Sequence, residues 1–145
     1  MPANDEKVIR ELIQERNDAI RARDARRALE HLAPKVVCYD LRPPLEFRDA
    51  AARDPNAMEE WFATWVGPIE VELRDPAIAV DGDLAFAFGL AHMHGRKRDE
   101  GAVDLWYRVT LCLRRQLGGW KVVHEHVSVP FRMDGSEKAA LDLKP

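Results

Sequence analysis

An α+β domain, with N-terminal helices laid against a mainly antiparallel sheet, is the fold class this sequence predicts. Apolar residues recur with helical spacing up to about residue 65, and from Pro68 onward they alternate with a period of two. Asp81-Gly82 and Gly118-Gly119 then punctuate the alternating half where hairpin turns belong. Helices first and a meander afterwards place the helices on one sheet face. With 145 residues and 46% apolar content, the chain reads as a single domain over 1–145 with a substantial core, followed within it by a tail over 132–145.

The elements follow in order. DEKVIRELIQERNDAIRARD carries Val8, Ile9, Leu12, Ile13 and Ile20 on one helical stripe, with Asn4 or Asp5 as its cap. DARRALEHL predicts a second, short helix capped by Asp24 and stopped before Pro34. VVCYDL is a short strand ended by Pro43-Pro44. DPNAMEEWFATW is amphipathic, with Met58, Trp61, Phe62 and Trp65 in register. IEVEL, AIAV, LAFAFGLAHMHG, AVDLWYRVTLCLRR and WKVVHEHVSV are strands, and RMDGSEKAALDLKP is a turn with a docked or loose end.

Composition narrows the function classes. Twenty-two basic residues against 25 acidic ones give a net charge of −3, so the chain lacks the global electrostatic footprint of a nucleic-acid binder. Cys38 and Cys112 sit in strands without metal-type spacing and read as free thiols, which with the absence of a signal or spanning segment predicts a cytoplasmic protein.

The order of elements, together with AFAFGLAHMHGRK, RVTLCLRRQLGGWKVVHEHVS and YDLRPP, resembles the nuclear transport factor 2-like superfamily, and within it the SnoaL-like, ketosteroid-isomerase-related members. The resemblance runs from about Val8 to Pro130. It implies a cone-like fold whose helices pack on a strongly curved, mainly antiparallel sheet enclosing a pocket. It also implies a homodimer through the outer sheet face. The scaffold serves isomerases, cyclases and dehydratases as well as plain binding and assembly domains.

Strand alternation separates Glu125, Val127 and Val129 from Trp120, Val122, His124, His126 and Ser128. The position of Val127 lines the pocket in the family members that the chain resembles, so Glu125 is expected inside and the histidines outside. On the preceding strand the resemblance sends Asp104, Trp106, Arg108, Thr110 and Cys112 inward. It leaves Tyr107, Val109 and Leu111 on an outer face for dimerisation. An enclosed Arg108 needs an anion, and Glu125 is the expected partner. On the central strand Phe86, Phe88, Leu90, His92 and His94 are expected inward, with His92 as a polar contact for a ligand.

Asp40 falls where ketosteroid isomerases keep the aspartate that shuttles a proton between carbons beside a carbonyl. Thr110 matches the protonated acid of their oxyanion hole, and their tyrosine on the first helix has no counterpart here. The expected catalytic set is therefore Asp40, Arg108, Thr110, Glu125 and His92. Trp61, Trp65, Phe88, Trp106 and Val127 are expected to hold a hydrophobic substrate, with no cofactor and no metal. A non-catalytic binding or association domain is the alternative. A weaker one is a cupin-like metal protein, suggested by His92-Met-His94, His124-Glu-His126 and Asp99, but the glycine-framed cupin motif is missing.

Overall fold

In the computed structural model, which describes residues 2–145, α1 (Pro2–Arg21) and α2 (Ala25–Leu29) lead into β1 (Leu32–Tyr39). A two-residue strand β2 (Phe47–Arg48), a 3-10 turn (Asp49–Arg53) and α3 (Pro55–Ala63) follow. Four long strands complete the sheet: β3 (Trp65–Asp81), β4 (Leu84–Lys97), β5 (Gly101–Gln116) and β6 (Gly119–Ser128). The six strands run in the order β2-β1-β6-β5-β4-β3, and only the β1–β6 pair is parallel. The sheet is curved and unclosed, with the helices on its concave side.

Helix starts follow local chemistry. Asp24 accepts from the Arg27 amide at the head of α2, and Asp54 accepts from the Asn56 amide ahead of Pro55 in α3. Asp5 is not a cap. The first helix begins earlier, at Pro2, and Asp5 turns into the core instead.

Two β-bulges bend the sheet. β3 is one continuous strand where two were expected, and it shifts register against β4 between Val66 and Ile69 and again between Arg74 and Ala77. Glycines on β4 face both bends. A Cβ at Gly95 would stand 2.7 Å from the Pro68 carbonyl and 2.9 Å from Trp65, and one at Gly89 would stand 3.2 Å from the Arg74 carbonyl. These close approaches let the strand curl.

The core lies between α1 and the sheet. Ile9, Leu12 and Ile13 pack on Ala85, Ala87 and Ala91 of β4, on Tyr107, Val109, Leu111 and Leu113 of β5, and on Trp120 and Val122 of β6. The inward set on β4 and β5 is therefore the opposite of the one expected. Burying the apolar side of β5, four aliphatic residues and Tyr107, outweighs any benefit of enclosing Arg108, which would lose its water. On β4 the alanines Ala85, Ala87 and Ala91 are buried in this core, while Phe86, Phe88 and Leu90 face outward. A third irregularity, between Cys112 and Leu113, inserts Val123 as an extra residue in β6. It puts Trp120 and Val122 inside along with Glu125, and leaves His124 and His126 outside. Tyr107, Val109, Leu111, Trp120 and Val122 are thus core residues, so the dimer surface expected from them does not exist. A second cluster joins Ala25, Phe62, Trp65 and Ile69. The tail folds back, with a bridge between Phe131 and Ala139 and a buried Ala140.

Candidate functional site

The inner face of the sheet is sealed at one end and open at the other. Leu111, Leu113 and Val122 are at most 2% exposed. Toward the start of β5 and the end of β6 the inward residues Leu105, Val127 and Val129 are only half-buried, as are Cys38 on β1 and Met93 on β4. Glu125 sits at this open end.

Its partner is Arg16, not Arg108. An Arg16 Nη2 donates to Glu125 Oε2 at 3.0 Å, and the two side chains keep 14% and 24% of their surface exposed. The Arg16 Nε is buried and has no hydrogen-bond partner among the described residues. Arg16 belongs to the α1 stripe of Ile9, Leu12, Ile13 and Ile20 by its spacing of three and four residues. A basic residue on that apolar stripe is the signal that would have located it in the sequence.

Tyr107 is the second residue missed. It is 8% exposed on the inner face of β5. Burial, and then the charge of Glu125, push its phenol well above the usual tyrosine range, with Asp40 adding to the rise and Arg16 opposing it. Tyr107 therefore stays protonated and remains a donor. Cys38, the β1 neighbour of Glu125, is pushed up to about 12 by burial first and by Glu125 second. Both residues feel Asp40, so that carboxylate lies within electrostatic reach of the open end.

Asp40 itself follows the last residue of β1. Its carboxylate accepts from the Leu41 amide at 2.7 Å and from Arg42 Nε at 3.2 Å. Its side chain is 41% exposed. The turn thus holds the carboxylate in place just past the end of β1 while leaving it open to solvent.

The other expected site residues separate into three groups. Val127 lies on the inner face with Glu125. Trp65, expected against a substrate, is 2% exposed in the second cluster, and its indole N–H lacks a partner among the described residues. Trp61 is half-buried and meets Trp65 edge-on at 5.6 Å. Arg108, Thr110, His92, Phe88 and Trp106 all lie on the outer face. Arg108 donates to Ser128 Oγ at 3.1 Å, so the expected Arg108–Glu125 pair is excluded because the two side chains point to opposite sides of the sheet. Thr110 is exposed and pairs across strands with Phe88 and His126. His92 Nε2 lies 2.6 Å from Asp104 and its ring stacks on Trp106 at 4.4 Å. This contact, followed by that with Lys144, holds the Asp104 carboxyl below the usual range. Outside, too, Tyr39 meets the rings of His124 and His126 edge-on at 4.7 and 5.2 Å. A ring nitrogen of His124 is also bonded to the Val37 carbonyl at 2.7 Å.

Comparison with known proteins agrees with this architecture. A family model described as a SnoaL-like domain matches residues 9–132. An NTF2-like protein of unknown function from Pseudomonas putida KT2440 is 32% identical, with 100% of this chain and 99% of that one covered and a TM-score of 0.86. A proposed dehydratase of the NTF2-like family from Streptomyces avermitilis is 16% identical over 91% of this chain and 100% of its own, with a TM-score of 0.77. The S. rosetta CaMKII hub is 23% identical over 85% of this chain and 95% of its own, with a TM-score of 0.64. No functionally curated protein matches the sequence. Among the described residues no helix is long and apolar enough to cross a membrane.

Proposed function

The chain belongs to the SnoaL-like domain family, and on that scaffold we propose that the open end of the inner face binds a hydrophobic small molecule bearing a carbonyl group. We further propose that Asp40 moves a proton next to that carbonyl, as a cofactor-independent isomerase, cyclase or dehydratase would require. One observation carries this reading. At the half-exposed end of the inner face Glu125 and Tyr107 of the sheet lie with Arg16 of α1, which bonds Glu125, and Asp40 follows the neighbouring end of β1.

Each side chain has a task. The free Nε of Arg16 supplies a donor for the ligand oxygen, and Glu125 orients the guanidinium. The Tyr107 phenol is a second donor toward an oxygen that gains charge as the proton leaves. Asp40 accepts that proton, with its turn bonds fixing its direction. Leu105, Met93 and Val127 supply apolar contact. Arg16 and Tyr107 thus take the part that the sequence reading gave to Arg108, Thr110 and His92.

Asp40→Asn tests the assignment, because it keeps the shape and removes the base. Once a carbonyl substrate has been identified by screening, turnover should fall roughly 100- to 10,000-fold while ligand binding and Tm persist. Turnover by this variant at the parent rate would remove Asp40 from the mechanism and make Glu125 the base to test.

A second reading concerns assembly, and a specific surface favours it. Leu84, Phe86, Phe88 and Leu90 on the outer face are 50%, 47%, 48% and 38% exposed, and Trp106 lies beside them. We propose a homodimer through this face, in keeping with the hub protein among the structural relatives. Light scattering should give twice the chain mass at micromolar concentration, and Phe88→Glu should give the single mass. A parent protein that is monomeric under these conditions would refute the dimer.

A further inference from the structure

We propose that Glu15, Glu30 and His31 form a binding site for a divalent transition metal of the zinc class, in a cleft where α1, the end of α2 and the start of β6 meet. The three residues belong to neither the proposed ligand site nor either His-x-His pair.

The potential ligand atoms of the three residues converge on one point of the cleft. The His31 Nε2 stands 3.1 Å from a Glu15 carboxylate oxygen and 3.6 Å from one of Glu30. One ligand atom from each residue lies within 4.8 Å of the other two. A tetrahedral zinc with bonds of about 2.0–2.2 Å holds its ligand atoms roughly 3.3–3.6 Å apart. The two separations from His31 Nε2 are close to that spacing, and the two carboxylate oxygens lie within 4.8 Å of each other.

The imidazole supplies an independent observation. Its Nε2 is buried and makes no hydrogen bond within the described residues, although two carboxylates face it. An orphaned buried nitrogen aimed at two anions needs a cation between them or a proton in good geometry, and the geometry for a proton is lacking. Arg16 and Lys121 contribute positive charge nearby.

The ligands are also held in place. The Val122 amide donates to the His31 carbonyl at 2.8 Å, and Lys121 Nζ donates to the Glu30 carbonyl at 3.0 Å. The backbone of the Glu30-His31 pair is thereby tied to β6 before any metal arrives. The two carboxylate side chains remain 49% and 52% exposed, on a cleft of about 330 Å³ that is also bordered by Glu11 and Trp120. That leaves at least one coordination position open to water. One imidazole with two carboxylates suits zinc and its first-row neighbours better than calcium or magnesium, which favour oxygen alone.

The test uses the full-length chain without a histidine tag, stripped with chelator and titrated with zinc chloride by calorimetry and thermal unfolding. One zinc per chain should bind with a Kd of about micromolar or tighter and should raise Tm as its concentration increases. Glu15→Gln and His31→Gln should each weaken binding at least tenfold, whereas the double variants His92→Gln/His94→Gln and His124→Gln/His126→Gln should bind like the parent. If His31→Gln fails to fold, the exposed positions Glu15 and Glu30 carry the test. No stoichiometric binding below millimolar zinc, or binding that survives loss of Glu15 and Glu30, would overturn the proposal.

Discussion

Besides the exposed Arg21–Glu70 contact at the sheet edge, two ion pairs tie the buried side of α1 to the sheet, and they differ in how completely they are satisfied. Near the N-terminus Asp5 accepts from Arg115 at 2.7 Å and from the Trp120 indole N–H at 3.3 Å, while Arg115 also reaches Asp83 at 3.1 Å. The Arg115 contact, reinforced by Trp120, holds the Asp5 carboxyl below the usual range. Further along the helix Arg16 gives Glu125 a single bond and keeps a buried donor unused. The first pair borders the sealed part of the core and has the partners a structural pair needs. The second borders the open part and has hydrogen-bonding capacity to spare. A part-buried charge with unspent donors is where a ligand gains most, because the ligand replaces bonds that the fold leaves unmade.

Truncation at the two ends should separate them most strongly. Leu111→Ala opens a cavity where nothing can collapse, and should cost about 2–5 kcal/mol. Val127→Ala, on the same face but half-buried, should cost only about 1 kcal/mol. Denaturant midpoints measured at unchanged m-value give both numbers. Equal losses would mean that the inner face is sealed throughout.

The ion pair at the open end should give a smaller effect. Arg16→Met strands Glu125, and since its side chain keeps 24% of its exposure the cost should be on the order of 2 kcal/mol, below the 3–5 of full burial. Arg16→Met/Glu125→Met should recover part of that loss. Strict additivity in this cycle would show that the two side chains do not interact.

Much of this contrast was legible in the sequence. The change of period gave the helices and strands, and the apolar stripe of α1 gave the core-facing side of that helix. Alternation put Glu125 and Val127 on one face of β6, and the resemblance turned that face inward. Alternation fixes which residues share a side of a strand, but it does not say which side meets the helices. For β4 and β5 that choice rested on resemblance to enzymes with a polar cavity, whereas here the aliphatic side of β5 and the alanine side of β4 satisfy the packing. Trp120 and Val122 were misplaced for a different reason, because the extra residue at Val123 reverses the parity of β6 partway along. Arg16 was visible but unread, a charge on an apolar stripe. Glu15, Glu30 and His31 have no motif spacing, and only the fold brings them together.

The finest probe of the open end leaves the fold intact and reads a single thiol. Cys38 is pushed up to about 12, first by burial and then by the neighbouring charge of Glu125, with Arg16 acting against both. The thiolate is the reactive form, so at pH 8 native Cys38 should be alkylated roughly a thousandfold more slowly than in the unfolded chain. Its rate should keep climbing with pH until near that value, and peptide mass mapping distinguishes it from Cys112. The two charges that define the open end should then move this rate in opposite directions. Glu125→Gln removes a negative neighbour, so the thiol should ionise more readily and react faster. Arg16→Met removes a positive one, so it should react more slowly still. An unfolding artefact would accelerate both variants together. A rate unmoved by either would mean that the Arg16–Glu125 pair does not reach β1, and the open end would have to be redrawn without Cys38.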